Sequence, residues 1–384
     1  MNVFQRKTAS NNFIPEIDGL RFLAVITVVL FHLNTSFSKE ISLGLDSSLE
    51  LLGGKQNQFS VGWWWVRLDL GVKVFFAISG FVLALPFLKF YIGLSEKKVQ
   101  LKSYFVRRLT RLEPPFIITL VFFYLVHVLL LDANSNQYLK HLGAGLIYGH
   151  VFVYGEANPI NPVSWSLETE AQFYIFIPFL MWLIFRFKPR LISLVFLLIA
   201  ILVSVWFKHE FMWNVYWNRS ILSYFANFGI GILACWVYLQ NSQWIKVKSY
   251  FWDFVSISAL MGLFYFYKPQ HIVENILFFN LSLLMLIIST FKGIITNWFY
   301  TRKWIYTIGG MCYSIYLIHY AFFHLSTKYT KYLFIKDWNY STNLALQVLV
   351  SIPLVLLVSS VFFIWFERPF MDRNWVEKLK RKDY

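Results

Sequence analysis

The stretch Ile17-Asp-Gly-Leu-Arg-Phe-Leu-Ala-Val-Ile-Thr-Val-Val-Leu-Phe-His32 sets three ionisable side chains in an otherwise apolar run. An apolar helix of about 20 residues can cross the hydrocarbon core of a bilayer. An ionisable side chain at mid-bilayer costs about 2.5–3.5 kcal/mol on insertion scales, so such residues usually face the bundle interior and mark a functional site. The stretch therefore predicts a membrane-spanning helix whose ionisable residues belong to a functional site.

Two of these residues, Arg21 and His32, are predicted to share one face of the helix. Eleven residues turn a helix by three turns plus about 20° and raise it by about 16.5 Å. Arg21 then lies near the cytoplasmic side and His32 well into the membrane, while Asp18 can pair with Arg21 as an i,i+3 ion pair. The alternatives are an arginine that snorkels to the headgroups and a histidine that only packs.

The composition extends this reading to the whole chain of 384 residues. It is 58% hydrophobic and 14% charged, whereas soluble domains are about 45–50% apolar and about 25% charged. A soluble globular enzyme and a disordered chain are excluded, and no period-two alternation suggests transmembrane strands. We predict an all-α polytopic membrane protein of about ten transmembrane helices: 17–36, 71–90, 115–131, 167–185, 191–207, 221–239, 251–267, 272–291, 304–325 and 344–366.

The net charge of +15 is explained by topology rather than by nucleic acid. With a cytoplasmic N-terminus, roughly two thirds of the 35 Lys and Arg residues fall in cytoplasmic segments, as the positive-inside rule expects. Both termini are therefore predicted to be cytoplasmic. We expect a single membrane domain over 1–384, with its core at about 15–370 and a basic cytoplasmic tail at 371–384. Cys235 and Cys312 lie in apolar stretches and predict no disulfide framework or Cys-based metal site.

Three arginines precede the third span in Tyr104-Phe-Val-Arg-Arg-Leu-Thr-Arg-Leu-Glu-Pro-Pro115. Their i,i+3 and i,i+4 spacings predict that Arg107, Arg108 and Arg111 form a guanidinium cluster on one helical face. Such a cluster suits phosphates through bidentate hydrogen bonds. The alternative is the positive-inside signal alone.

Further polar residues stand where spans begin or end. Asn158-Pro-Ile-Asn-Pro-Val-Ser-Trp-Ser-Leu-Glu-Thr-Glu-Ala-Gln-Phe-Tyr174 leads into the fourth span. Glu168 suits the helix N-terminus, whereas Glu170 lies deeper and needs a partner, for which His32 is a candidate. A carboxylate could orient a catalytic imidazole there. His319 lies among aromatic residues and is either a site residue or a tethered interior histidine.

These motifs, in this order, resemble the integral-membrane acyltransferase family 3, which includes bacterial polysaccharide and lipopolysaccharide O-acetyltransferases. The resemblance runs from about residue 15 to 370 and depends on the following segments: Asp-Gly-Leu-Arg with Arg-x10-His (Arg21, His32); Gly71-Val-Lys-Val-Phe-Phe-Ala-Ile-Ser-Gly-Phe81, which contains Ser79; Arg107, Arg108 and Arg111 followed by Pro114; Trp165-Ser-Leu-Glu-Thr-Glu-Ala-Gln-Phe-Tyr174; Tyr313-Ser-Ile-Tyr-Leu-Ile-His319; and Glu367-Arg-Pro-Phe370.

The chain departs from the family pattern at three points. Lys73 stands where the family often has Asp, and Ala171 replaces a common second acid, which leaves Glu170 as the matched Glu. The family's frequent esterase-like periplasmic domain is expected to be absent, so that a relay through such a domain would need a separate partner.

The resemblance implies transfer of an acyl group, usually acetyl, from cytoplasmic acyl-CoA to a sugar hydroxyl at or beyond the outer face of a bacterial inner membrane. We expect acetyl-CoA as the donor, no metal, and the bilayer, a glycan and a further copy or a periplasmic protein as partners. His32, Glu170 and Arg21 are the candidate catalytic residues, and Arg21 with the three clustered arginines the candidate CoA site. Supporting residues are Asp18, Ser79, Trp165, Ser166, Tyr174, Tyr316 and His319.

The chemistry leaves two routes open at His32. Neutral imidazole suits a general base for a sugar hydroxyl, with Glu170 stabilising the imidazolium as in catalytic triads. Alternatively, His32 carries the acyl group covalently. Arg21 either holds a phosphate or stabilises negative charge, or belongs to the scaffold through Asp18.

Two other functions compete with acyl transfer. A transporter or flippase of a glycan or acyl donor would often show internal repeats and broken helices, which the sequence does not reveal. A sensor or assembly scaffold is supported only by the aromatic outer loop around Trp63, Trp64 and Trp65. Candidate acceptors are lipopolysaccharide O-antigen, exopolysaccharide, peptidoglycan or a small glycoside, in falling order, and the acyl chain is acetyl, succinyl or longer.

Overall fold

The computed structural model describes residues 4, 13–187, 190–240, 242–267 and 273–372, and this part of the chain is helical without strands. Its helices are α1 Pro15–Glu40, α2 Leu45–Leu51, α3 Val61–Trp65, α4 Gly71–Tyr91, α5 Leu101–Leu130, α6 Ser135–Leu146, α7 His150–Tyr154, α8 Trp165–Phe185, α9 Arg190–Glu210, α10 Val215–Asn218, α11 Ile221–Gln240, α12 Ser242–Lys246, α13 Tyr250–Phe266, α14 Val273–Lys292, α15 Ile295–Tyr300, α16 Lys303–Gly310, α17 Cys312–Thr330 and α18 Tyr340–Phe362.

Eight helices in the described residues are long and apolar enough to cross a membrane, namely α1, α4, α5, α8, α9, α11, α14 and α18. The all-α, multi-span fold class is thereby confirmed. The seventh predicted span is the shorter apolar helix α13, of 17 residues. The total of ten spans and the cytoplasmic placement of both termini stay predictions. The start of the eighth predicted span at Ile272 and the basic tail from Arg373 onward lie outside the described residues.

The ninth predicted span differs from the prediction, because it is two helices that meet at Met311. Gly309 explains the close fit of the first of them: a Cβ built on it would lie 1.7 Å from the backbone oxygen of Asp18. The backbones of α16 and α1 therefore touch where only glycine fits. A broken helix, which the sequence did not reveal, thus lies directly beside the first span.

Small residues also bring α4 and α11 into contact at the centre of the bundle. A Cβ on Gly80 would lie 2.1 Å from the Phe228 oxygen, and one on Gly231 would lie 1.9 Å from the Ala77 oxygen. Close backbone approach through small residues is the usual way in which membrane helices pack. Phe228 then stacks between Phe76 and Phe173, with ring centroids 4.7 and 4.0 Å away, which ties α8 to the same core.

Helices α1, α4, α5, α8 and α17 surround the region in which the predicted site residues lie. Helix α8 begins just after a 3-10 turn, Pro162–Ser164. Because Ser166, Glu170 and Tyr174 are four residues apart, they project from one face of α8, and all three line the same cavity. Of the two cysteines, Cys235 is buried in the core as predicted, whereas Cys312 is half-buried and borders this cavity.

Candidate active site

A pair of histidines, one from α1 and one from α17, is the first feature of the candidate site. The Nε2 atom of His319 lies 3.1 Å from the Nδ1 atom of His32. The Nδ1 atom of His319 faces the carbonyl oxygens of Ile315, at 3.1 Å, and Tyr316, at 2.9 Å. A carbonyl oxygen only accepts hydrogen bonds, so Nδ1 of His319 carries the proton and its Nε2 is an acceptor.

This arrangement decides the tautomer of His32. Its Nδ1 atom has two acceptors within reach, Nε2 of His319 and the Val28 oxygen at 3.1 Å. Nδ1–H is therefore the donor, and Nε2 of His32 keeps its lone pair. His319 is completely buried, while His32 is half-buried with its ring edge-on to Tyr320. The more accessible imidazole is thus the one whose free nitrogen can act as base or nucleophile.

A cavity of about 770 Å³ is lined by Tyr316, whose ring is a neighbour of His319. Its residues come from α1, α4, α5, α8 and α17 and include aromatic, apolar and charged side chains. They are Arg21, Val72, Phe75, Phe76, Ile78, Ser79, Val82, Leu83, Arg108, Arg111, Leu112, Ser166, Leu167, Glu170, Tyr174, Cys312, Tyr313 and Tyr316. A mixture of apolar walls and a few convergent polar groups is typical of small-molecule and cofactor sites.

Three arginines border this cavity at the end that the charge bias predicts to be cytoplasmic. Arg21 is paired with Asp18 at 2.5 Å, which confirms the predicted ion pair. An oxygen of Glu367 lies 3.9 Å from Arg111. The guanidinium of Arg108 lies over the rings of Tyr104 and Tyr174, at 5.8 and 5.9 Å. Planar guanidinium groups held in this way are suited to bidentate contacts with phosphate oxygens.

The structure places Arg107 apart from the other two members of the predicted arginine cluster. Its side chain is exposed, and its Nε atom donates to the Ser103 oxygen at 2.9 Å. Arg108 and Arg111 line the cavity, whereas Arg107 is not among its lining residues. Neighbouring residues are separated by about 100° around a helix, so Arg107 and Arg108 cannot both face the same narrow cavity.

The carboxylate of Glu170 occupies the middle of the cavity and is not the partner of His32. It accepts a short hydrogen bond from the Ser79 hydroxyl, while the imidazole of His32 faces His319. The expected Glu170–His32 contact is therefore corrected. The physical reason is that Glu170 projects from α8 toward α4, whereas α17 supplies the nitrogen that meets α1. Tyr104 closes this wall, with its hydroxyl donating to the Tyr174 oxygen at 3.2 Å.

The inner end of the cavity approaches the histidines through Tyr316. The hydroxyl of Tyr316 lies 2.6 Å from that of Ser166 and donates to the Val163 oxygen at 2.8 Å. The Tyr316 ring lies 5.6 Å, centroid to centroid, from that of His319. Trp165 packs against Phe76 and Tyr224. Of the predicted supporting residues on α8, it is the one that is not among the lining residues of the cavity.

Glu367 is a further candidate site residue, which the sequence analysis named only as part of a motif. Glu367 is fully buried and accepts from the Ser314 backbone amide at 3.1 Å and from its hydroxyl at 2.5 Å. It also faces Arg111, so it links the end of α18 to α17 and to the arginine end of the cavity. The signal available was its place in Glu367-Arg-Pro-Phe370, at the end of the last apolar run.

Comparison with known proteins agrees with the motifs. A family model described as an acyltransferase domain, that of acyltransferase family 3, matches residues 14–364. The chain belongs to this family. The match covers the histidine pair, the cavity and all of its arginines, so the acyltransferase fold is the setting in which these residues act.

Several curated relatives carry names for acetyl transfer. The peptidoglycan O-acetyltransferase of Listeria monocytogenes is 22% identical over 98% of this chain and 59% of its own length. A Bacillus subtilis protein provisionally named a peptidoglycan O-acetyltransferase is 26% identical over 84% of this chain and 50% of its own length. A Staphylococcus aureus protein provisionally named an O-acetyltransferase is 27% identical over 80% of this chain and 50% of its own length. The chain spans only about half of these relatives, and no solved structure matches it.

Proposed function

We propose that this acyltransferase-family protein is a multi-pass O-acyltransferase of a bacterial inner membrane. It moves an acyl group, most simply acetyl, from acyl-CoA on the cytoplasmic side to a hydroxyl of a glycan at or beyond the outer face. The observation that carries the proposal is one cavity with three arginines at one end and Tyr316, which contacts His319, at the other. The names of the relatives support acetyl as the group and a glycan as the acceptor.

In this proposal the negatively charged phosphates of acyl-CoA hold the donor in the cavity. Arg21, Arg108 and Arg111 bind the phosphates of acyl-CoA, and the narrow apolar arm extends along the cavity past Ser79 and Tyr174. Charge-assisted hydrogen bonds to phosphate contribute about 1.5–3 kcal/mol each. The thioester would then reach the Tyr316 end, from which the histidine pair is one aromatic ring away.

The acyl transfer itself uses the free nitrogen of His32. Its Nε2 atom removes the proton of the acceptor hydroxyl as the hydroxyl oxygen attacks the thioester carbonyl. The C–O bond forms, the C–S bond breaks, and the leaving sulfur receives the proton from the imidazolium. His319 accepts the Nδ1–H hydrogen bond throughout, which is the role that a carboxylate plays in serine hydrolase triads.

The second route is a covalent one, in which Nε2 of His32 attacks the thioester first. An acyl-histidine would form as the CoA thiol leaves, and the sugar hydroxyl would then accept the acyl group. The same tautomer serves both routes, because each needs the lone pair of Nε2. We favour the direct route, since it alone forms an imidazolium at His32, which the hydrogen bond from its Nδ1–H to His319 would stabilise.

Peptidoglycan is the first acceptor to test. Two relatives are named for it, and this moves it ahead of lipopolysaccharide O-antigen and exopolysaccharide. All three present sugar hydroxyls on the outer side of the inner membrane or on lipid-linked precursors. The chemistry at His32 is the same for each.

The proposal is tested by mass spectrometry of surface glycans from cells that carry the wild-type gene, no gene, or the His32→Ala variant. We expect one acetyl group per modified sugar in the wild type only, with equal membrane abundance of the variant. His209→Ala, in an exposed position at the end of α9, is the matched control and should keep acetylation. Full acetylation by His32→Ala would overturn the assignment.

A transporter of a glycan or acyl donor is the second candidate, and the break between α16 and α17 at Met311 favours it. Discontinuous helices are common at transporter sites. Incubation of purified protein with radiolabelled acetyl-CoA separates the two functions. Release of free CoA that depends on an acceptor glycan supports the enzyme; no binding and no consumption of acyl-CoA supports the transporter.

A further inference from the structure

A second cavity, of about 410 Å³, shares no lining residue with the candidate active site. It lies between α4, α9, α11, α13 and α14, where α4 and α14 begin and α9 and α13 end, which is the end predicted to face outward. Its lining is rich in polar side chains, including two lysines: Lys73, Lys208, Ser223, Tyr224, Ala226, Asn227, Phe266, Tyr267, Asn275, Ile276, Phe279 and Asn280.

Both lysines are held in place by aromatic rings. The Nζ atom of Lys73 lies 3.8 Å from the centroid of the Tyr267 ring, and that of Lys208 lies 4.2 Å from the Tyr224 ring. Lys208 is only 5% exposed, and its Nζ atom also donates to the backbone and side-chain oxygens of Asn218. The ammonium groups are therefore positioned on the cavity wall rather than extended into solvent.

The charges around this cavity are not balanced by the groups that face it. Lys73 and Lys208 both line the cavity, and none of the described residues that line it carries a carboxylate. The acid near Lys73 is Asp69, one oxygen of which accepts from the Tyr267 hydroxyl at 2.6 Å. A buried charge is costly unless it is paired, and a cation–π contact offsets only part of this cost.

We propose that this cavity binds a phosphate group on the outer side of the membrane. Two ammonium groups supply charge, and the amides of Asn227 and Asn275 supply neutral hydrogen-bonding groups around it. Lysine binds phosphate as a point charge without a fixed geometry, which suits a cavity with two of them. The phosphate belongs to a lipid headgroup or to a soluble phosphorylated sugar. This binding goes beyond the proposed acyl transfer and does not depend on it.

Thermal unfolding of the purified full-length protein in a neutral detergent tests the proposal without measuring acyl transfer. The protein is titrated with inorganic phosphate, with phosphatidylglycerol, and with diacylglycerol, which has the same chains without phosphate. We expect the midpoint to rise with phosphatidylglycerol and not with diacylglycerol, because ligands that bind the folded state stabilise it. A rise with inorganic phosphate as well assigns the site to soluble phosphates, and a rise with the lipid alone assigns it to a headgroup.

Variants connect this response to the cavity. Lys73→Met and Lys208→Met should each weaken the apparent affinity about tenfold or more, and Lys73→Arg should retain it. Lys140→Met removes an equal charge from the exposed surface of α6 and should respond like the wild type. Because the proposed function places phosphates at the arginines of the first cavity as well, the wild-type response is interpreted only beside a folded lysine variant; Lys73→Gln and Lys208→Gln replace any Met variant that fails to fold. No response of the wild type to either phosphate, or an equal response of folded Lys73→Met and Lys208→Met variants, would overturn the proposal.

Discussion

The Nε2 atom of His319 lies 3.1 Å from the Nδ1 atom of His32, although 287 residues separate them in the chain. Two backbone carbonyls hold the proton of His319 on its other nitrogen. This chain of hydrogen bonds places the proton of neutral His32 on Nδ1 and leaves its Nε2 unprotonated, without a carboxylate as partner. A neutral partner avoids the cost of placing a charged carboxylate beside His32 in a low-dielectric interior.

Substitution of His319 should slow the chemical step without weakening binding of the donor. We expect His319→Leu to lower kcat by about tenfold or more, within the 10²–10⁴-fold that general-base catalysis usually contributes, with an unchanged KM for acetyl-CoA. His319→Gln keeps an acceptor oxygen and should recover part of the rate. Steady-state kinetics on reconstituted protein provides both constants. A rise in KM with constant kcat for His319→Leu would show that His319 acts on binding instead.

Substitutions of the neighbouring residues Arg107 and Arg108 are expected to have different effects on the KM for acetyl-CoA. Arg108 lines the cavity, and Arg107 is exposed. Arg108→Gln should therefore raise the KM for acetyl-CoA about 10–150-fold, which corresponds to the loss of one charge-assisted hydrogen bond of about 1.5–3 kcal/mol. Arg107→Gln is the matched control, with the same charge change one residue earlier, and should have little effect. Equal effects of the two variants on KM would indicate that the arginines act only through the general positive potential.

Glu170 is expected to shape the cavity rather than to orient His32. Its hydrogen bond with Ser79 can be kept by an amide, so Glu170→Gln should retain most of kcat and change mainly KM. Glu170→Ala leaves the Ser79 hydroxyl without this partner and should also cost about 1–3 kcal/mol of stability. Kinetics and thermal unfolding of the two variants are compared side by side. A Glu170→Gln variant as inactive as His32→Ala, with normal KM, would restore a direct catalytic role.

The contact between α4 and α11 predicts which glycines are indispensable. A Cβ at Gly80 or Gly231 would approach backbone atoms to about 2 Å, so the helices must move apart. We expect Gly80→Ala and Gly231→Ala each to lower the free energy of unfolding by about 1–3 kcal/mol, as overpacking does. Gly143→Ala is the control, since a Cβ at this position on α6 would have nothing within 4 Å. Thermal unfolding in detergent should show lower midpoints for the first two variants alone.

Much of this molecule could be predicted from local sequence. Hydropathy located the spans, because each long apolar run must satisfy its backbone as a helix in lipid. The Arg21–Asp18 pair followed from i,i+3 spacing within one helix. The partner of His32 could not be derived in this way, because it lies on another helix and depends on how α1 and α17 are rotated against each other. The break at Met311 was hidden for a similar reason, since its hydropathy is that of a continuous span.

The arginine cluster shows where helical spacing stops being informative. Arg107, Arg108 and Arg111 all lie within one and a quarter turns, and the spacing alone favours a shared face. Which side of α5 faces the cavity is decided by its packing against α8, where Arg108 lies over Tyr174. The fold class was therefore accessible from sequence, whereas the identity of the residues inside the cavity required the tertiary contacts.

The segment between α5 and α8, which is predicted to face outward, should loosen in acid because of a second histidine pair. The Nδ1 atom of His141 lies 2.8 Å from the Nε2 atom of His150, and Nδ1 of His150 faces the Glu156 oxygen at 3.3 Å. His150 must therefore be neutral to accept from His141. Burial, and the charge of His141, lower the pKa of His150 below its usual value near 6.5, although the Glu156 oxygen partly offsets them.

The sign of the effect follows from proton uptake. A lowered pKa means that the unfolded segment binds more protons than the folded one as the pH falls. The stabilisation is therefore complete above about pH 6.5 and is lost as the pH falls through the lower folded pKa. Amide hydrogen exchange over residues 141–156, corrected for intrinsic rates, should show less protection at pH 5 than at pH 7.5. His150→Phe should remove most of this difference in protection between the two pH values, and His209→Gln should leave it intact. If His150→Phe loses as much protection at pH 5 as the wild type does, the effect does not come from this pair.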